Sequence, residues 1–247
     1  MNITQILKKS FSDFKSPLFL GMALLPFVVI LVVFGYGYFH FGSDLITQVG
    51  ADLDAGRVPF LDPDAHPWLT YILTFSLFKW LFTAFFYLVG IVAVVLFSVV
   101  IAGVVIGFFT PTIVKVIRKK HYPDFVFTND DFTFWASLPF YVKIIFGFLF
   151  LGLVSLPFMF VPAVNFIAIN IPFYYLFHNF MILDVGSNIV STKEFKLLTK
   201  KYKTLFRSTT ATLYGISLVP VVGVFMQVFY VIVLSHEFFE KASQERS

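Results

Sequence analysis

Four long stretches of this chain carry no Lys, Arg, Asp or Glu: Ser16 to Ser43, Trp80 to Val114, Ile144 to Leu183 and Ser208 to His236, of 28, 35, 40 and 29 residues. No other feature limits the fold as severely. A helix needs about 20 apolar residues to cross bilayer hydrocarbon. One charge at its centre costs about 2.5–3.5 kcal/mol on insertion scales. Runs of this length predict an all-α integral membrane protein, a single membrane domain over residues 1–247. Composition agrees: 13% of residues are charged and 58% hydrophobic, where soluble domains carry roughly a quarter charged. The 36 phenylalanines fit lipid contact rather than an aromatic binding box.

The segments between the runs set the orientation. Residues 44–79 hold five Asp against Arg57 and Lys79. Residues 115–143 hold five basic residues against three Asp, and 184–207 hold six against Asp184 and Glu194. Residues 1–15 are basic through Lys8, Lys9 and Lys15. The positive-inside rule then places the N-terminus, 115–143 and 184–207 in the cytoplasm and makes 44–79 an outer loop. The basic start resembles a signal peptide, but no small-x-small cleavage site follows, so an uncleaved anchor is expected.

This orientation makes the third run leave and return on one side. Divided at "LPFMFVPAVN", around Pro162, its arms have about 15–18 residues and reach about 25 Å. The fourth run is broken at "SLVPVVG" by Pro220 and Gly223. Proline removes a backbone bond and clashes with the preceding turn. Arms of about 12 residues then reach about 18 Å, half the membrane. The expected fold is two long transmembrane helices plus two Pro-broken re-entrant helical hairpins. For the fourth run the alternative is one full span kinked at Pro220, with its carbonyls satisfied by neighbours. The tail from Glu237 to Arg246 is too balanced in charge to choose a side. The second run, as one helix of about 52 Å, must tilt, project or be partly buried. Its "GVVIG", Gly103 to Gly107, offers a small-xxx-small face for helix packing.

The chemistry classes narrow by absence. There is no cysteine, which removes disulfides, iron–sulfur clusters and thiol catalysis. No HExxH, Walker loop, Gly-rich dinucleotide turn or intramembrane carboxylate pair occurs. No enzyme activity, cofactor, metal or nucleic-acid partner is expected. His66, near Asp62 and Asp64, matches no metal spacing and reads as a solvated loop. "KEFKLLTKKYK", Lys193 to Lys203, reads as one basic amphipathic helix on the anionic membrane surface, or as a collector of anions at a pore mouth.

Several stretches carry a resemblance. "FSDFKSPLFLGMALLP" (Phe11 to Pro26) has two prolines nine apart before the first long helix, and "FFTPTIVKVI" (Phe108 to Ile117) follows the second. "LPFMFVPAVN" and "SLVPVVG" are paired Val-Pro turns, with "ILDVGSNIVSTKEF" (Ile182 to Phe195) between them. In order and spacing the chain resembles the CysZ-type sulfate permease family and its relatives, the etoposide-induced-protein homologues. The resemblance implies two long spans, two partly penetrating hairpins, an oligomer, and passage of sulfate into the cytoplasm without a nucleotide-binding module. The family's Gly-Leu/Ile-Arg-Arg stretch is missing: Leu20 and Gly21 occupy the two arginine positions. An oxyanion favours charge-assisted, bidentate donors, so sulfate specificity must be carried differently here.

The candidate substrate-binding residues are Lys15, Asn165, Asn170 and Gln227. Asn165 lies at one break and Gln227 just beyond the other, where a half-helix N-terminus favours anions. Against this, Asn165 caps the following arm and Gln227 bonds across helices. His178 and Asn179 fall near the cytoplasmic interface, where a structural histidine outweighs a proton relay. The expected activity is a sulfate or related small-anion permease. It would work as a homo-oligomer in a plasma membrane, a bacterial inner membrane, with the lipid bilayer as its main partner. The alternative is a non-transporting scaffold or envelope assembly factor.

Overall fold

The computed structural model of the chain describes residues 3–55, 68, 76–162, 164–219 and 221–246. Every regular element among them is helical. The chain divides into two compact units, Leu25–Ala102 and Met1–Leu24 with Gly103–Ser247. Four stretches are long and apolar enough to cross a membrane: Pro17–Asp52, Thr83–Gly107, Trp135–Met159 and Asn165–Gly186.

The smaller unit holds most of α2 (Pro17–Gly37), which passes through a π-helical turn at Tyr38–Gly42 into α3 (Ser43–Asp54), and most of α4 (Ser76–Gly107), the other long helix. Tyr38 donates its hydroxyl to the Tyr87 carbonyl at 3.2 Å, and Gly90 leaves room for the Tyr38 ring. Val32, Leu88 and Phe97 stand well over half exposed. So many bare apolar side chains on long helices are a lipid-facing surface, not a soluble one. The acidic residues Asp62 and Asp64, with Arg57 and His66 of the expected outer loop, lie outside the described residues.

The second uncharged run is not one helix. It stops at Gly107, the Phe108 and Phe109 N–H groups bond back to Val105 and Ile106, and α5 (Thr110–His121) starts afresh with proline in its first turn. Proline is tolerated there because that N–H has no intrahelical partner anyway. The third run also differs from expectation. Its arms are α6 (Phe134–Met159, 26 residues) and α7 (Asn165–Gly186, 22 residues), about 39 and 33 Å long by helix rise. The uncharged run began only after Lys143. The helix begins where Thr133 caps it by accepting from the Ala136 N–H at 3.3 Å. Charge marked the run, but the cap marks the helix, and the arms come out long enough to cross.

The basic segment is two helices, not one. α8 (Thr192–Lys201) is capped by Ser191, which accepts from the Glu194 N–H at 3.3 Å. α9 (Lys203–Ser217) begins after Tyr202 leaves helical geometry at φ −102°, ψ 26°. The Tyr202 hydroxyl donates to Glu245 at 2.6 Å, which fixes the break. After α9 come the single turn α10 (Val222–Phe225) and α11 (Gln227–Arg246).

α11 is the core of the larger unit. Thirteen of its residues, among them the unbroken run Val228 to Phe239, are buried. A helix buried on every side must be wrapped by others. Here α1 (Ile3–Phe14), α5, α7 and α8 pack on it. Phe11 and Phe14 meet Phe229 edge-on at 6.3 and 5.8 Å.

A buried polar cluster holds α1 in place. Asp13 receives Lys120 Nζ at 2.6 Å, His121 Nε2 at 2.9 Å and His236 Nε2 at 3.0 Å. Burial opposes ionisation of Asp13. The bonds from Lys120, His121 and His236 outweigh it and hold its pKa below the usual value. Further along α11, Arg246 clamps Glu194 at 2.7 Å and the Val126 carbonyl at 2.6 Å, and Lys201 pairs with Glu245 at 2.7 Å. The N-terminal helix, the end of α5, α8 and the C-terminal tail thus meet in one polar layer.

Candidate functional site

α6 and α7 form an antiparallel pair, and α9 packs on α7. Residues of α6, α7, α8 and α9 line a cavity of about 580 Å3. Its apolar lining includes Ile144, Leu151, Ile171 and Ile182. Its mouth carries Lys143, Lys196, Lys203 and Arg207, all four exposed. Among the described residues, none of the four is paired with a carboxylate, whereas Lys120, Lys201 and Arg246 each are. Like charges gathered without counter-ions raise the local concentration of anions.

The neutral groups of the wall are locked. Tyr174 donates to the Arg207 carbonyl at 2.9 Å. His178 Nδ1 meets Thr210 Oγ1 at 2.6 Å. Asn179 donates to the Tyr175 carbonyl at 2.7 Å. The Tyr174 and His178 bonds fix α7 against α9 and hold the Arg207 backbone at the rim, while the Asn179 bond stays within α7. The Lys196 ammonium stands 5.5 Å over the Phe140 ring, so its charge is held at the mouth while its stem covers apolar surface. Four cations and no carboxylate suit a small anion and not a metal. The Arg207 fork offers paired donors, and the three lysines offer point charges.

The residues singled out in the sequence are seated separately. Lys15 lies over the Phe11 ring at 4.5 Å. Asn165 is the first residue of α7, and its side-chain oxygen accepts from the neighbouring Phe166 N–H at 2.6 Å. Asn170 accepts from the Tyr214 hydroxyl at 2.8 Å, joining α7 to α9. Gln227 lies against Gly103 and Gly107, and a Cβ on either glycine would stand 3.8 Å from its amide. The four share no hydrogen bond with one another among the described residues. Pro162 lies in the turn between α6 and α7. Gly223 is pressed on the Ser217 backbone, where a Cβ would approach within 2.6 Å of the carbonyl oxygen. Pro220 lies outside the described residues. Of the mouth cations, the sequence reading had Lys196 and Lys203 inside a basic helix. Lys143 and Arg207 were only the charges that precede the third and fourth uncharged runs. That both runs begin at one place is the signal that was available.

The sequence profile of the family described as Sulfate transporter CysZ/Etoposide-induced protein 2.4 matches residues 6–226. The chain belongs to this family. No match was found among curated proteins or among solved structures. For a CysZ/etoposide-induced-protein member, four apolar helices and a transporter family describe a helical membrane protein, and the matched region contains the whole basic cavity.

Proposed function

We propose that the chain is a permease for sulfate or a related small oxyanion, with the basic cavity as its cytoplasmic anion site. The observation that carries this reading is a cavity lined by two membrane-length helices and by four cations, none of them paired with a carboxylate among the described residues. It also meets the difficulty left by Leu20 and Gly21: the charge missing from the entry segment is present at the mouth. Lys15, Asn165, Asn170 and Gln227 remain candidates for the path beyond the mouth.

The same reading assigns the topology. The N-terminus, 115–143, 184–207 and the C-terminal tail are cytoplasmic, 44–79 is outside, and the protein resides in a bacterial inner membrane as a homo-oligomer. Ion pairs that join those four segments in one layer support this. Each of the two helix pairs, α6–α7 and α9–α11, then leaves the cytoplasmic layer and returns to it. At about 39 and 33 Å, α6 and α7 reach across the roughly 30 Å of hydrocarbon. The α9–α11 pair, with 15 residues in α9, is the partly penetrating hairpin.

The test is equilibrium binding and proteoliposome flux of labelled sulfate, with sulfite, molybdate and chloride as competitors. Saturable, salt-weakened binding that falls at least about tenfold in Lys203→Gln/Arg207→Gln is expected, each charge-assisted bond contributing about 1.5–3 kcal/mol. Flux of none of these anions above empty vesicles would leave the scaffold reading in its place.

A further inference from the structure

The cluster around Asp13 is more than a clamp on α1. His121 Nε2 and His236 Nε2 both face one carboxylate oxygen, Asp13 Oδ2, at 2.9 and 3.0 Å. The three donor atoms lie within 4.8 Å of one another. Residues 13, 121 and 236 come from three different helices, and no spacing in the sequence relates them. We propose that Asp13, His121 and His236 form a binding site for a divalent transition cation of the Zn2+ type. The proposal is independent of the anion reading, since the site shares no residue with the basic cavity.

The donor set fits the metal. Two imidazoles and a carboxylate are a known Zn2+ set with a fourth position open. At bond lengths near 2.0–2.1 Å, tetrahedral ligand atoms stand about 3.3 Å apart. The present separations of 2.9 and 3.0 Å need to open by only a few tenths of an ångström. Lys120 is bound to the other oxygen, Oδ1, at 2.6 Å. Its side chain is half exposed, so it can swing out as a metal replaces its charge.

Two further features point to a ligand. The Tyr122 hydroxyl lies 3.0 Å from His236 Nδ1, on the far side of the ring from Asp13. Metal-bound histidines are oriented in this way through their second nitrogen. With Nε2–H facing Asp13, the Tyr122 hydroxyl donates to Nδ1; with a metal on Nε2, Nδ1 would carry the proton and the Tyr122 oxygen would accept it. On loading, the proton that each Nε2 now shares with Asp13 moves to the other ring nitrogen or to solvent. There is also a way in. His121 lines a surface pocket of about 610 Å3 together with Asp124 and Arg246, while Asp13 and His236 lie behind it, 2% and 0% exposed.

The experiment is a Co2+ titration of the full-length, tag-free protein in detergent, followed by the visible ligand-field band of tetrahedral Co2+, with Zn2+ as displacing ion. The wild type is expected to give the band and lose it to Zn2+ but not to Mg2+. His121→Gln keeps a hydrogen bond to Asp13 and should abolish the band. Tyr122→Phe should weaken binding roughly tenfold or more. Lys120→Ala removes the competing ammonium and should bind at least as tightly as wild type. A purely structural ion-pair cluster predicts otherwise. No band in either the wild type or a folded Lys120→Ala protein overturns the site. So does a band that survives His121→Gln unchanged.

Discussion

The residue scale shows where single side chains carry unusual cost. Glu237 is fully buried on α11. Thr209 donates to one of its oxygens, and the other has no partner among the described residues. Burial, only partly offset by the Thr209 bond, pushes its carboxyl up to about 7 from 4.5. The folded state therefore keeps a proton that the unfolded chain gives up at lower pH. The penalty is absent below 4.5, builds as pH rises to about 7, and is constant above. Glu237→Gln should leave stability unchanged near pH 4 and raise it by up to about 3 kcal/mol near pH 8. Thermal unfolding in detergent at both pH values checks this, and equal shifts at both would refute the buried acid. At the α9–α10 turn Val221 has φ 68°, ψ −54°, a strained turn for a β-branched residue. Val221→Gly should stabilise by about 1 kcal/mol. Gly223→Ala should destabilise by about 1–3 kcal/mol, because its Cβ meets backbone that cannot rotate away.

At the scale of elements, caps and breaks were decided by different forces. The start of α8 follows a local signal that counting charges passes over: Ser191 with Glu194 three residues on is a capping-box pattern, and the structure makes the Ser191 bond. Ser191→Ala should cost about 1 kcal/mol, seen as a lower unfolding midpoint without change of oligomeric state. The turn at Pro162 was legible, because proline cannot continue a helix. Pro162→Leu loosens that turn in the unfolded chain and should cost about 0.4–1 kcal/mol. The split of the basic segment at Tyr202 was not legible. Nothing local in "KEFKLLTKKYK" interrupts a helix. The interruption is stabilised by Glu245, 43 residues away. The lengths of α6 and α7 were misjudged for the opposite reason, a local cap at Thr133 that counting charges passes over.

For the whole molecule, topology is the strongest prediction. With no native cysteine, a single introduced one reports its side without background. Ser243→Cys in the exposed tail should resist an impermeant thiol reagent in intact cells, and Gln48→Cys in α3 should react. Labelling of Ser243→Cys from outside would turn the α9–α11 pair into one kinked span. The sequence by itself determined that the chain is helical and that it belongs in lipid. Charge is so costly in hydrocarbon that its absence over long runs leaves little choice. Pro162 lies in a turn between helices, where the backbone constraint is local. Only the tertiary structure decided that α11 is the buried centre of the larger unit. Only the tertiary structure gathered Lys143, Lys196, Lys203 and Arg207 at one mouth, and brought Asp13, His121 and His236 to one point. Those groupings depend on helix packing between distant segments, and a charge or an imidazole looks the same in sequence whether it faces water, a carboxylate or a cavity.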